Sequence, residues 1–175
     1  MSELEAISHS LRAIGAGVDR AQQTAAMADQ RAEDIMGQAM VVGMTGTALG
    51  MQQIRHGIQE MRQHLLSMGR GVFEAMGLVA AAPPKPSPQE TVHVLGAADE
   101  RTGSARDGLT GVLSQVSQLQ QQAGAVLQGG EPGPMISALD QVKQLAGELI
   151  QQSDAARQAV AAAIARARQT GSAGN

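Results

Sequence analysis

Three side chains that could bind a metal, His56, Glu60 and His64, recur every four residues. On a helix they would offer nitrogen and oxygen ligands along one side. A metal site needs three or four ligands that converge, usually on one point. Steps of four drift around a helix instead, and this trio lies off the apolar seam described below. It reads as a solvated face, and no metal site is expected. The stretch VVGMTGTALGM, Val41 to Met51, raises a second chemistry. Its glycines (Gly43, Gly46, Gly50) and threonines (Thr45, Thr47) could cradle a phosphate. A nucleotide loop of that type needs Gly-x4-Gly-Lys-Ser/Thr after a buried strand, because the lysine reaches the phosphates and the hydroxyl holds magnesium. No lysine lies near the stretch and no strand precedes it, so that chemistry is set aside. The chain has no cysteine, which excludes disulfides and thiolate metal sites. No Ser/His/Asp set has local support. The expectation is a non-enzymatic chain with no catalytic residue, no cofactor, no metal and no small-molecule substrate.

What remains is a set of ten methionines in a chain with one Phe (Phe73) and no Tyr or Trp. Methionine is adaptable and is over-used on binding surfaces that accept several partners. Met51, Met61 and Met68 fall on a predicted seam and read as packing. Met36, Met40 and Met44 are off it and step along one side toward the Val41–Met51 stretch. Exposed apolar stripes of that kind mark interfaces. The interface candidates are therefore Met36, Met40 and Met44, together with the seam residues Leu65, Met68 and Leu149.

The elements that must position these residues follow from hydrophobic periodicity. Stepping 3, 4, 3, 4 from Leu4 gives Leu4, Ile7, Leu11, Ile14, Val18, Ala21, Ala25, Ala28, Ala32, Ile35, Ala39 and Val42. All are apolar, where a 43% apolar composition gives about five, so this is a helix with a coiled-coil seam. The register then fails, and a new one starts at Met51: Ile54, Ile58, Met61, Leu65, Met68, Val72, Ala75 and Val79. A continuous helix would have to swing its apolar face around between them, so the chain is expected to reverse, with the glycines of VVGMTGTALGM as helix breakers. Counting outward from that turn pairs Ala21, Ala25 and Ala28 with Met68, Leu65 and Met61, small against large. After a proline-rich stretch, a third seam runs from Ala98 through Thr102, Ala105, Leu109, Val112, Val116, Leu119 and Ala123 to Val126. It breaks at GGEPGP, Gly129 to Pro134, a strong turn signal. A fourth runs from Leu139 through Val142, Ala146, Leu149, Ser153, Ala156, Val160 and Ala163 to Ala167.

The fold class is thus all-α: two long antiparallel helical hairpins, coiled-coil-like, for which an elongated four-helix bundle is one packing and association with a partner chain the other. The expected boundaries are an N-terminal hairpin over 1–82, a Pro-rich linker over 83–90, a C-terminal hairpin over 91–170 and a disordered tail over 171–175. Burying alanine releases less free energy than burying leucine, at about 25 cal/mol per Å². Interior glycines such as Gly57, Gly69 and Gly71 each cost up to about 1 kcal/mol relative to Ala. One hairpin alone looks marginal, which is why the hairpins are expected to pack on each other or on a partner.

Net charge is −3 with both signs interspersed, which is no nucleic-acid footprint. No apolar run reaches the 18 or so residues that span a bilayer. Sparse cations and near-absent aromatics also argue against a membrane-surface helix. No signal peptide is visible, so the expected location is cytoplasmic, with signal-peptide-independent export left open.

The segment ALDQVKQLAGELIQQSDAARQAVAAAIARARQTGSAGN, with its LDQV seam and RARQTGSAGN ending, resembles the C-terminal half of a family of small helical actinobacterial proteins of unknown function. That resemblance implies no activity. Each hairpin is also similar in size and shape to the small ESX-type (WXG100-like) secreted proteins, without their Trp-x-Gly turn or their Tyr export signal. Two functions follow as expectations. The first is a helical protein–protein interaction or scaffold module that binds other helices, including copies of itself. The alternative is a secretion-linked partner or chaperone of a separately encoded effector.

Overall fold

The structure, a computed structural model, describes residues 3–128 and 133–172. They form four helices, α1 (Glu3–Val41), α2 (Thr45–Ala80), α3 (Pro88–Val126) and α4 (Gly133–Ser172), and no strand among the described residues. At 36 to 40 residues each, the helices are roughly 54–60 Å long. Each packs against two neighbours, α1 on α2 and α4, and α3 on α2 and α4. Short connections make sequential helices antiparallel, so the molecule is an up-down-up-down four-helix bundle. The expected hairpins are present, and they close on each other.

The seams account for the packing. Nearly every position on the four registers is buried, from Ile7, Leu11 and Ile14 in α1 to Val160 and Ala163 in α4. The ends depart from the pattern. Val42 is exposed because α1 stops one residue before it, and Ile35 and Val126 are half-buried. The buried side chains form two clusters, and both draw on all four helices. The larger holds Ile14 to Ala32 of α1 with Met51 to Val72 of α2, Ala105 to Ala123 of α3 and Met135 to Ala156 of α4. The smaller, near the chain ends, joins Ile7, Leu11, Ala75, Val79, Leu95, Ala98, Val160 and Ala163. Thr102 and Ser153 lie near the division between them. Thr102 donates to the Ala98 carbonyl at 2.8 Å. The Ser153 hydroxyl is fully buried and has no hydrogen-bond partner.

The reversal after α1 is set by one glycine. Gly43 has φ +77°, a conformation that costs L side chains dearly. The Met44 amide donates to the Ala39 carbonyl at 2.8 Å and the Gly43 amide to Met40 at 3.2 Å, the paired bonds of a Schellman motif. The expectation that all three glycines of VVGMTGTALGM break the helix therefore needs correcting. Gly46 and Gly50 are inside α2, and only Gly43 turns the chain.

Gly50 has a different purpose, which it shares with Gly57, Gly17 and Gly108. A methyl on Gly50 would lie 2.5 Å from Val126, and one on Gly57 2.6 Å from Leu119. A methyl on Gly108 would meet Met68 at 2.6 Å. On the other side of the ring, Leu149 occupies the space beside Gly17. Large side chains thus lie over glycines where one hairpin meets the other, and the loss of helix propensity is offset by close packing. At Gly57 the bared backbone also accepts a hydrogen bond from Gln115 Nε2 at 3.2 Å.

α3 begins at Pro88, which fits a first helical turn because that position needs no amide donor. Ser87 caps it. Its hydroxyl accepts from the Glu90 amide at 3.2 Å, and the Glu90 carboxylate accepts from the Ser87 amide at 2.8 Å. These bonds hold the Glu90 carboxyl below its ordinary range, the one from the Ser87 backbone most of all. The turn expected over Gly129–Pro134 falls largely on residues 129–132, outside the described residues. The expected tail over 171–175 overlaps α4, which runs to Ser172, and 173–175 lie outside the described residues.

Candidate interaction surface

Each of the four contacts in the ring has its own ion pair. Arg55 of α2 reaches Asp29 at 3.0 Å and Glu33 at 3.2 Å on α1. Arg101 of α3 meets Glu74 of α2 at 3.0 Å. Across α3 and α4, Asp99 pairs with Arg157 at 2.9 Å and Asp154 with Arg106 at 3.0 Å. Glu3 and Arg166 join α1 to α4. Hydrogen bonds to Asp29, Asp154 and Asp99 are the chief reason that Arg55, Arg106 and Arg157 hold their protons above the usual guanidinium value. These pairs link each helix to its neighbours across the ring.

His56 and Glu60 form a 3.4 Å pair on the outer face of α2, and both are exposed. His64 is exposed on the same helix. Among the described residues, no group of three or more His, Asp or Glu side chains is placed to hold a metal ion. No helix among them is long and apolar enough to cross a membrane.

The interface candidates divide into two groups. Leu65, Met68 and Leu149 lie in the core of the single chain, with Met68 over Gly108 and Leu149 over Gly17. Met36 is half-buried against the core. Met40 and Met44 are exposed, at 59% and 55%. Around them the structure adds residues that sequence reasoning missed: Val41 at 88% exposure, Val42 at 68% and Leu49 at 62%. Together they cover the end of the bundle where α1 turns into α2. Val42 falls on the first seam, and Val41 and Leu49 fall on none.

A signal for this end does exist in the sequence, as an absence. No charged residue lies between Asp34 and Arg55, or between Asp107 and Glu131. Apart from Glu131, the next charge after Asp107 is Asp140. The C-terminal part of α1 and the N-terminal part of α2 are therefore uncharged, as are the C-terminal part of α3 and the first turns of α4. In an antiparallel bundle these segments meet at one end, here called the charge-poor pole, where Glu131 in the connection between α3 and α4 lies outside the described residues. The opposite end carries Glu3, Lys85, Glu90, Arg166 and Arg168.

A second exposed region lies on the outer side of α1 and α2. There Phe73, the single aromatic residue, is 74% exposed beside Leu66. Both line a groove of about 590 Å³ flanked by Arg12, Asp19 and Arg70.

Fold and surface together define a four-helix bundle with one end rich in exposed apolar side chains. Residues 86–172, which are α3 and α4 with the cap before them, match the model of a family of unknown function, DUF6244. The resemblance of the C-terminal half to a family of unknown function is thereby supported. No curated protein and no solved structure matches the chain.

Proposed function

We propose that this protein is a non-enzymatic helical interaction module that self-associates, and that its contact surface belongs to the first hairpin. One observation carries the reading: every large hydrophobic side chain exposed among the described residues, from Met27 to Leu78, lies in α1, α2 or the turn between them. Isolated exposed hydrophobes are ordinary, but a contiguous group at one end is the mark of a surface meant to be covered. The arrangement of ionisable groups supports binding over catalysis, since the inter-helix pairs link helix to helix and leave the apolar end to make contact. Light scattering coupled to size exclusion, from low micromolar to near-millimolar chain, tests this. The expected result is a mass above the 18.0 kDa of one chain, rising with concentration. A constant monomer would refute self-association.

The groove beside Phe73 favours a second reading, in which the first hairpin binds a separately encoded helical partner, such as a secretion-linked effector. A stable heterocomplex on co-expression, lost in Phe73→Ala, would support it.

A further inference from the structure

We infer that the connector end of the bundle, where α2 passes into α3, opens and closes as one unit on a stationary remainder, with a polar layer at Thr102 and Ser153 as the boundary. The inference goes beyond the self-association reading and does not depend on it. The smaller cluster, which holds this end, takes two side chains from each helix: Ile7 and Leu11, Ala75 and Val79, Leu95 and Ala98, Val160 and Ala163. Three of these are alanines, so little apolar area is buried there. The larger cluster starts at Ile14 in α1, Val72 in α2, Ala105 in α3 and Ala156 in α4. On the α3 seam, Thr102 is the residue between the two clusters. The pairs Arg106–Asp154 and Asp99–Arg157 align α3 with α4 on either side of it, and so bring Ser153 to the same height.

Apolar layers in contact stabilise one another, and a polar layer between them weakens that coupling. The Thr102 hydroxyl donates within its own helix, so it ties α3 to no neighbour. The Ser153 hydroxyl is buried without a partner, which costs free energy for as long as the end is closed. Opening lets water reach that hydroxyl while the larger cluster stays shut. The interlock of large side chains over Gly17, Gly50, Gly57 and Gly108 also belongs to the remainder. At the connector end Gly77 and Gly96 face open space instead. The Glu3–Arg166 pair that spans this end is exposed, and such pairs add little. Regions with few buried apolar contacts open at a lower free energy than the whole molecule unfolds. Opening bares Ile7, Leu11, Leu95 and Val160, an apolar surface that the closed bundle hides.

Native-state hydrogen exchange on the full chain, at low and rising urea, tests this. The amides of Leu11, Val79, Ala98 and Val160 should share one protection factor and one urea dependence, at least about 10-fold below those of Ala25, Ile58, Val112 and Leu139. The step should fall at the polar layer in all four helices. Complete unfolding includes opening of the connector end, but opening does not involve the larger cluster. Ile58→Val should therefore speed exchange at Val112 and Leu139 roughly 3- to 10-fold and leave Val79 and Val160 unchanged. Thr102→Val combined with Ser153→Ala makes the layer apolar and should erase the step, with helicity by circular dichroism unchanged. Protection that rises smoothly from the helix ends inward would mean simple fraying and overturn the unit. Equal protection throughout, or an Ile58→Val effect of the same size at both ends, would also overturn it. A step that survives the double variant would remove the polar layer as its boundary.

Discussion

The two hairpins have the same construction and different surfaces. In α3 and α4 every described Leu, Ile, Val and Met is buried or half-buried. In α1, α2 and their turn, nine large hydrophobes are exposed, among them Val41, Leu66 and Phe73. The family match covers the clean hairpin and stops short of the sticky one. The second hairpin is the part that resembles a family of unknown function, and the first carries the exposed apolar side chains. The two are not separable in the core, because both buried clusters draw on all four helices.

That contrast can be broken experimentally. Leu65→Asp in the first hairpin and Leu149→Asp in the second each put a charge at a position that is at most 2% exposed. Each should cost about 4 kcal/mol or more and remove helicity from the whole chain. Loss of only half the circular dichroism signal in either variant would show two independent units. A finer probe uses one kind of substitution at two sites. Gly50→Ala drives a methyl into Val126 between the hairpins and should destabilise by about 1–2 kcal/mol. Gly71→Ala meets nothing within 4 Å and should stabilise by up to about 1 kcal/mol. Equal effects in urea melts would remove the glycine seam from the account.

Two smaller effects concern the second hairpin. Ser153→Ala deletes a buried hydroxyl that has no partner, and should raise stability by about 1 kcal/mol. An unchanged or lower melting temperature would mean the hydroxyl is satisfied. At the start of α3, the Glu90 carboxyl is held below its ordinary range. Its contribution is full above the pKa of an unfolded glutamate and is lost as pH falls through the lower folded value. Hydrogen exchange at the Ser87 and Glu90 amides should therefore quicken in acid, after correction for the intrinsic exchange rate. Ser87→Ala should quicken it at neutral pH as well.

The seams were legible because each apolar residue on a heptad step reports the same face, and the breaks showed where the face was lost. The capping box was also on the page, as Ser87, Pro88 and Glu90, but the run of prolines masked where the helix began. What sequence reasoning missed has a common cause. Gly57 counts as a penalty and Gly50 as a helix breaker until the neighbour that needs the space is known, and that neighbour is 76 residues away for Gly50 and 62 for Gly57. The charge-poor pole is made of segments far apart in the chain, none of which forms a motif. Only the antiparallel arrangement brings them to one end.

The glycine seam has a consequence for assembly of the bundle. Gly50 and Gly57 are seven residues apart, and so are Leu119 and Val126, which cover them. Sliding α3 along α2 by one heptad would set Leu119 over Gly50, so this pair of contacts alone does not distinguish the two registers. Gly108 does not mark the difference either, because Met61, seven residues before Met68 on the same seam, would take its place over that glycine. The slip would part Glu74 from Arg101, and the short connector between Ala80 and Pro88 would have to absorb about 10 Å of travel. On an otherwise repeating scale, the length of the connector is thus what indexes the alignment of one hairpin against the other.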